Sequence, residues 1–478
     1  MSHCGDETTT TDDDGLLRGY TFEELKVDQT ASLVRQLTER DIAAFAAISG
    51  DVNPLNVDRR FAQEHVFHTL IGHGMWAGAL ISNVLGTHLP GPGTIYARQT
   101  FDFVRPIALG TTVTVTVRVA EKHADSGRVV MECLCLDGDG NVLVSSAAEV
   151  LPPQEEVRRE RTALPDVEVL DHGDRLRRLI ESARALPPLH MAVVHPVDDA
   201  SLLGAVRAAE AGLIVPVLVG PEADIRAAAG RAGLAIDDYR IVPAGDGRES
   251  ANRAVELVHT GEADALMKGM LHTDELMGAV VDTDTGLRTR RRLSHVFVMD
   301  IPGYDRPLLI TDAAINIAPS LTDKVDIVQN AVDLAHALGT EAPKVAILCA
   351  VETVNPAMPC TVDASVLCKM ADRGQITGAV LDGPLAFDNA VDVNAARTKG
   401  IRSPVAGHAD ILLTPDLEAG NMLAKQLEYI SHAAAAGVVL GAQVPIALTS
   451  RADDELARMA SCATAALMHA AGGGNGHG

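Results

Sequence analysis

The chain changes texture near residue 150, and this change constrains its fold more than any single motif. Before it, the runs 94–104, 111–120, 128–136 and 142–150 alternate apolar and polar residues. A period of two turns one face of a strand inward and the other outward. Asp137-Gly-Asp-Gly140, between the last two runs, marks a hairpin turn. Upstream, Thr38-Glu39-Arg40-Asp41 is a capping-box pattern that opens an amphipathic helix over 42–48. Residues 74–85 are apolar nearly all round, which predicts a helix buried on most of its sides. One buried helix and several long antiparallel strands predict an α+β domain whose sheet wraps that helix.

Beyond about residue 176, short apolar segments (191–194, 215–219, 345–350) alternate with alanine-rich helical ones (200–211, 223–232). Such alternation predicts parallel β-α-β units. Residues 153–175, with Pro153, Pro165 and mixed charges, read as a linker. The expected domains are therefore 19–152 and 176–470, with a disordered acidic tail over 1–18 and a Gly-rich flexible tail over 471–478.

Charge narrows the partners. Of 478 residues, 40 are Lys or Arg and 64 are Asp or Glu, a net charge of −24. An acidic surface repels phosphate backbones and anionic membranes, so no nucleic-acid or membrane partner is expected. No run reaches the ~18 apolar residues that a membrane span needs. The first residues lack the basic and apolar segments of a signal peptide, and a cytoplasmic location is expected. The seven cysteines are scattered, with no C-x-x-C pair, so neither a zinc knuckle nor a disulfide framework is expected. No phosphate-binding loop, dinucleotide glycine fingerprint or His-Glu-x-x-His occurs, and neither a metal nor a fixed cofactor is expected.

The stretch Phe45-Ala-Ala-Ile-Ser-Gly-Asp51-Val-Asn-Pro-Leu-Asn56-Val-Asp58, followed by Phe61-Ala62 and His73-Gly74-Met75, resembles the signature of MaoC-like, R-specific enoyl-CoA hydratases. The resemblance covers about 20–150. It implies a hot-dog fold, with 74–85 as the central helix, and an acyl-CoA site. Hydration needs a water held between two groups and hydrogen bonds to a thioester carbonyl that becomes enolate-like. The Gly74 N–H at the N-terminus of the helix suits that charge. Asp51 matches the family's catalytic carboxylate, whereas Asn56 stands where the family carries histidine. Asparagine orients a water but does not titrate, and losing an acid–base partner costs on the order of 10²–10⁴ in rate. His73 either supplies a substitute acid or seats the helix turn. Read without the family, 51–54 is also an Asx-type turn closing a helix.

From 176 to 470 the chain resembles the phosphate acetyl/butyryltransferase family, closer to its butyryl branch. The matching stretches include Leu266-Met-Lys-Gly269, Gly286-Leu-Arg-Thr289 with Ser294-His295, and Thr311-Asp-Ala-Ala-Ile-Asn316. Cys349-Ala-Val-Glu352, Asp382-Gly-Pro-Leu-Ala386 and Ser450-Arg451-Ala-Asp453 follow in the same order. The family moves an acyl group between CoA and inorganic phosphate, so the thiol needs a base and the phosphoryl oxygens need cations. The resemblance implies Asp453, or its neighbour Asp454, as the base, Ser450 as a hydrogen-bond donor and Arg451 as a fork on phosphate. Ser-x-x-Asp is equally a capping box, although arginine in a first turn opposes the helix dipole. Arg288 is a further candidate for phosphate. Arg290, Arg291 and Arg292 form either an anion-attracting cluster or an exposed basic loop. Ser294, Asn316 and Asp382 are expected to line the pocket.

These observations together predict a fused, bifunctional acyl-CoA enzyme: an α+β hot-dog domain followed by a two-lobed α/β phosphate acyltransferase-type domain. Acyl-CoA, CoA and phosphate are its substrates, and both resemblances imply a homo-oligomer. Asn56 motivates another reading, in which the hot-dog domain only binds acyl-CoA or serves assembly. A wholly non-enzymatic acyl-CoA sensor is the third.

Overall fold

The computed structural model describes residues 16–160, 162, 173–449 and 453–472. The chain divides into two units, 1–169 and 170–478. The first contains β1 (Leu16–Gly19), β2 (Thr30–Gln36), α1 (Glu39–Ser49), α2 (Pro54–Val57), α3 (Arg59–Glu64) and α4 (Gly74–Thr87). It continues through β3 (Ile95–Phe103), β4 (Thr112–His123), β5 (Arg128–Leu136), β6 (Val142–Leu151) and β7 (Val157–Glu160).

Five strands form an antiparallel sheet in the order β2-β4-β5-β6-β3. The alternating pattern puts Val113, Val115, Val117 and Val119 of β4 inward, in one core with Ile81, Val84 and Leu85 of α4. Helix α4 contains Gly74, Gly78 and Gly86, and each glycine costs a helix about 1 kcal/mol relative to alanine. Burying one Leu, Ile or Val side chain contributes about 1.5–3 kcal/mol, so packing rather than propensity holds α4. At Gly78 the reason for glycine is local: a Cβ would lie 3.1 Å from the Phe101 ring. Helix α1 opens on a reciprocal cap, in which Asp41 N–H donates to Thr38 Oγ1 and Thr38 N–H to Asp41 Oδ2. It ends at Gly50, which takes the left-handed conformation (φ 72°).

Two boundaries differ from those the composition predicts. Leu16–Gly19 pairs antiparallel with Val157–Glu160, so 16–18 are not tail and 157–160 are not linker. Charged residues hid this ladder, which satisfies backbone groups whatever the side chains are.

The second unit contains α5 (Asp174–Ala183), β8 (Leu189–Val194), α6 (Asp199–Glu210), β9 (Ile214–Gly220), α7 (Glu222–Ala232) and β10 (Arg240–Pro243). Next come α8 (Gly247–His259), β11 (Ala265–Lys268), α9 (Thr273–Val280), β12 (Ser294–Asp300) and β13 (Leu308–Thr311). Then follow α10 (Leu321–Ala337), β14 (Lys344–Leu348), α11 (Pro359–Asp372), β15 (Val380–Leu385), α12 (Phe387–Val391) and α13 (Val393–Thr398). The unit closes with β16 (Ile411–Leu413), α14 (Leu417–Tyr429), β17 (Ala434–Leu440), β18 (Ile446–Ala447) and α15 (Glu455–Ala470).

One sheet joins all these strands, in the order β10-β9-β8-β11-β18-β17-β12-β13-β16-β14-β15. It is not wholly parallel as the pattern suggested. β17 runs antiparallel to β18 and β12, and β12 runs antiparallel to β13. The connections 301–307 and 441–445 are short, whereas a parallel crossover needs a dozen or more residues. The reversals leave two parallel blocks of opposite direction, β10-β9-β8-β11-β18 and β13-β16-β14-β15. Each has its own carboxyl edge, the place where open α/β sheets bind ligands. No helix among the described residues is long and apolar enough to cross a membrane.

Candidate active sites

In the first unit the chain leaves α1 through Asp51, Asn53 and Asn56. Asp51 is exposed, and its Oδ1 accepts Asn53 N–H (3.1 Å). Asn53 caps α2 by accepting Leu55 N–H (3.1 Å). This is the Asx-turn geometry, present together with an open carboxylate. Asn56 is buried, and its Nδ2 donates to Ile71 O (2.8 Å), so that amide nitrogen holds backbone. His73 is buried beneath the Phe45 ring, with centroids 5.0 Å apart. Its Nε2 meets Asp51 O at 3.0 Å. A carbonyl only accepts, so Nε2 carries the proton and Nδ1 presents a lone pair, with no partner among the described residues. Gly74 begins α4 and is exposed. The fold therefore gathers Asp51, His73 and the open end of α4, and turns the Asn56 amide nitrogen toward the loop before α4.

In the second unit, the carboxyl edge of the first block collects His195 after β8, Lys268 at the end of β11 with Gly269 after it, and Thr449 after β18. At Gly269 a Cβ would lie 2.5 Å from Val194 O and 2.7 Å from His195 O, so only glycine lets these strand ends approach. Lys268 and Thr449 are buried, and Thr449 Oγ1 accepts from Arg458 Nη1 (3.1 Å). His195 is held in the left-handed region (φ 58°). Ser250 Oγ donates to Asp246 O (2.6 Å), leaving it an acceptor for His195 Nδ1–H (3.1 Å). Burial pushes the His195 pKa down against the pull of Glu275, Asp224 and Asp246. Sequence reasoning gave His195 no role. Its partner lies 55 positions away, and no local pattern announces it.

Ser450 and Arg451 lie outside the described residues. Past them, Asp454 is the N-cap of α15, its Oδ1 accepting Ala457 N–H at 2.8 Å. That oxygen caps the helix. Asp453, half-buried on the loop before it, does not supply the cap.

A second cluster sits where β13 ends beside the start of β12. Asp312 is buried and accepts N–H bonds from Ala314, Ile315 and Asn316, and another from Asn316 Nδ2 (2.5 Å). Burial raises its pKa against those donors. Asn316 Nδ2 also donates to Leu293 O (2.8 Å), which turns Oδ1 to accept Arg292 Nε (2.7 Å). The three adjacent arginines thereby separate. Arg292 is held by a buried amide and also pairs with Asp323 (3.8 Å), and Arg291 is paired with Asp333. Arg290 is exposed, as is Arg288, whose backbone bridges to Ala442. Ser294 does not meet its expected role as a substrate contact: it is fully buried and accepts from Asn330 Nδ2 (2.9 Å), bracing the cluster. Asp382 lies on β15, the outermost strand, where it accepts Gly383 N–H (2.9 Å), away from this cluster. No group of three side chains suited to a metal ion occurs among the described residues.

Comparison with known proteins gives the family. The phosphate acetyl/butaryl transferase model matches residues 246–466, and the MaoC like domain model matches 23–133. A phosphate acetyltransferase of Rhizobium meliloti is 61% identical over 290 residues, covering 61% of this chain and 92% of that protein. A phosphate butyryltransferase of Clostridium acetobutylicum is 46% identical over 272 residues, covering 57% and 90%. The crystal structure of a branched-chain phosphotransacylase from Enterococcus faecalis matches at 30% identity and a TM-score of 0.52, covering 59% of this chain and 99% of that one. The chain belongs to the phosphate acetyl/butyryltransferase family and carries a MaoC-like hot-dog domain ahead of it. Identity is higher to this acetyltransferase than to the butyryltransferase, against the expected lean toward the butyryl branch.

Proposed function

We propose that the second unit transfers a short acyl group between CoA and inorganic phosphate, and that the first unit binds acyl- or 2-enoyl-CoA. The observation that carries this reading is the near-complete coverage of phosphate acyltransferase relatives by residues that form one continuous sheet. Asp453 takes the proton of the CoA thiol as its sulfur attacks the acyl phosphate carbonyl. Ser450 and Arg451 hold the phosphoryl oxygens, by resemblance. Asn316 and Asp312 position Arg292, whose guanidinium attracts the anionic substrate. No metal or bound cofactor takes part, and the chain works in the cytoplasm, where CoA and phosphate are dissolved. The test is acyl-CoA plus phosphate with acetyl, propionyl, butyryl and crotonyl chains, followed by thiol release. Absence of phosphate-dependent release with every chain would sink the reading and favour a sensor.

Arg292→Gln is expected to lower kcat/KM by about 10–100-fold, the loss of a charge-assisted hydrogen bond of about 1.5–3 kcal/mol. Arg291→Gln, which loses a surface ion pair, is expected to change it less than threefold. Steady-state kinetics on the two variants separates them.

In the first unit, Asp51 and the Gly74 N–H serve a bound thioester, and Asn56 makes hydration slow. Asn56→His restores a titrating group and is expected to raise crotonyl-CoA hydration by about 10²-fold or more, a gain that Asp51→Asn abolishes. An unchanged rate in Asn56→His would favour a binding module. A homo-oligomer is supported by β3, an edge strand with exposed Ile95, Tyr96 and Phe103. Sedimentation equilibrium measures it.

A further inference from the structure

Arg458 is the fourth residue of α15 and is 3% exposed. Side chains on a helix lean toward its N-terminus, so this guanidinium lies at the positive end of the helix dipole, where a cation is disfavoured. Taking a guanidinium out of water adds a second penalty. A methionine would fill the same space with neither. The fold nevertheless makes room for arginine. Gly204 of α6 faces it, and a Cβ there would lie 2.7 Å from Arg458 Cδ and 3.1 Å from its Cβ.

What the guanidinium reaches accounts for its presence. Nη1 donates to Thr449 Oγ1 (3.1 Å), and Nε donates to the backbone carbonyl of Asp453 (3.3 Å). Thr449 follows β18, and its hydroxyl donates in turn to Lys268 O (3.4 Å) at the end of β11. β11 and β18 are parallel neighbours, so one rigid fork ties Asp453 to the ends of two adjacent strands. Those ends belong to the carboxyl edge of the first block.

We propose that Arg458 is a positioning residue for acyl transfer. By bridging Thr449 and Asp453 it fixes the Asp453 backbone, and with it the carboxylate that takes the thiol proton, against the carboxyl edge of the first block. It touches no substrate in this role. The role rests on the reading of Asp453 as the base, whereas the bridge itself does not. Displacing a catalytic group by about 1 Å costs on the order of 10²-fold in rate. Lysine keeps the charge of Arg458 but offers one nitrogen in place of the fork, so it cannot span both acceptors.

The test uses the full-length chain carrying Arg458→Met or Arg458→Lys. Circular dichroism and urea melts set conditions in which each variant is folded. Should Arg458→Met not fold, Thr449→Val removes one of the same bonds from its other end. Amide hydrogen exchange reads the bridge without any activity. Exchange over 449–458 is expected to quicken by about threefold or more in both variants, while 461–470 exchanges as in the wild type. Kinetics reads the consequence. We expect kcat to fall by about 10–100-fold, with KM for acyl-CoA and for phosphate within about threefold. Arg458→Lys recovers at most part of that loss. Placed on Asp453→Asn, Arg458→Met should lower kcat by less than about threefold more, since it acts through that carboxylate.

Unchanged exchange would overturn the bridge. Faster exchange with the wild-type kcat would make Arg458 a structural brace and overturn the positioning role. So would a full kcat loss on top of Asp453→Asn, a phosphate KM that rises as far as kcat falls, or full activity in Arg458→Lys. Asp453→Asn at the wild-type rate would instead overturn the reading of the base, and exchange would still decide the bridge.

Discussion

Asp453→Asn is expected to lower kcat for acyl transfer by about 10²–10⁴-fold, the usual contribution of a positioned general base. Asp454→Ala is expected to leave kcat within about threefold and to lower stability by about 0.5–2 kcal/mol, as loss of a helix cap does. The two carboxylates are adjacent in sequence and differ in what they hold. Asp454 accepts Ala457 N–H through Oδ1 and starts α15, so its loss removes a helix cap. Asp453 stands outside that cap, on the loop between β18 and α15. Initial rates of CoA-thiol release and urea melts on both variants decide the matter. A kcat loss confined to the Asp454 variant would reverse the assignment.

The second large effect concerns pH and stability. His295 is fully buried, neither ring nitrogen has a partner among the described residues, and Phe297 packs edge-on at 4.4 Å. Burial, with a smaller push from Lys425, drives its pKa from 6.5 down to about 3. The unfolded chain binds a proton near pH 6.5 and the native chain refuses it until about pH 3. Stability from this residue is therefore full above pH 6.5 and is lost progressively as pH falls toward 3, up to about 5 kcal/mol in all. His295→Met carries no titrating group and should flatten that part of the curve, most visibly near pH 4. Urea midpoints for both proteins between pH 4 and 8 measure the difference. Parallel curves would show that His295 finds a proton or a partner in the native state.

Legibility in the sequence followed the range of the interactions. The β4 and β5 faces could be read directly, since Val113, Val115, Val117 and Val119 repeat every two residues and end up inward. The buried α4 and the Thr38 cap were equally local. The β1–β7 pair escaped because four-residue strands carry no period, and Arg158 and Arg159 look like linker residues. The reversals at β12 and β17 escaped because an apolar strand does not state its direction. Only the length of its connections does. At the candidate sites, motif spacing drew attention to Asn316 and the arginines, but three neighbouring arginines look alike in a sequence. Only the orientation of the Asn316 amide, set by Asp312 and Leu293, picks out Arg292. His195 depends on Ser250, whose hydroxyl is oriented by Asp246, and such chains of hydrogen bonds have no sequence signature.

The pairing of β1 with β7 has a bearing on how such a chain could arise. Leu16 lies opposite Glu160 and Gly19 opposite Val157, so the strand that enters the first unit and the strand that leaves it run side by side. A unit whose ends meet behaves as a cassette: it can be spliced ahead of a pre-existing enzyme, or removed from it, at a single seam and without threading the chain through either core. Fusion of the two units then requires one recombination event at the gene level and no redesign of either interior.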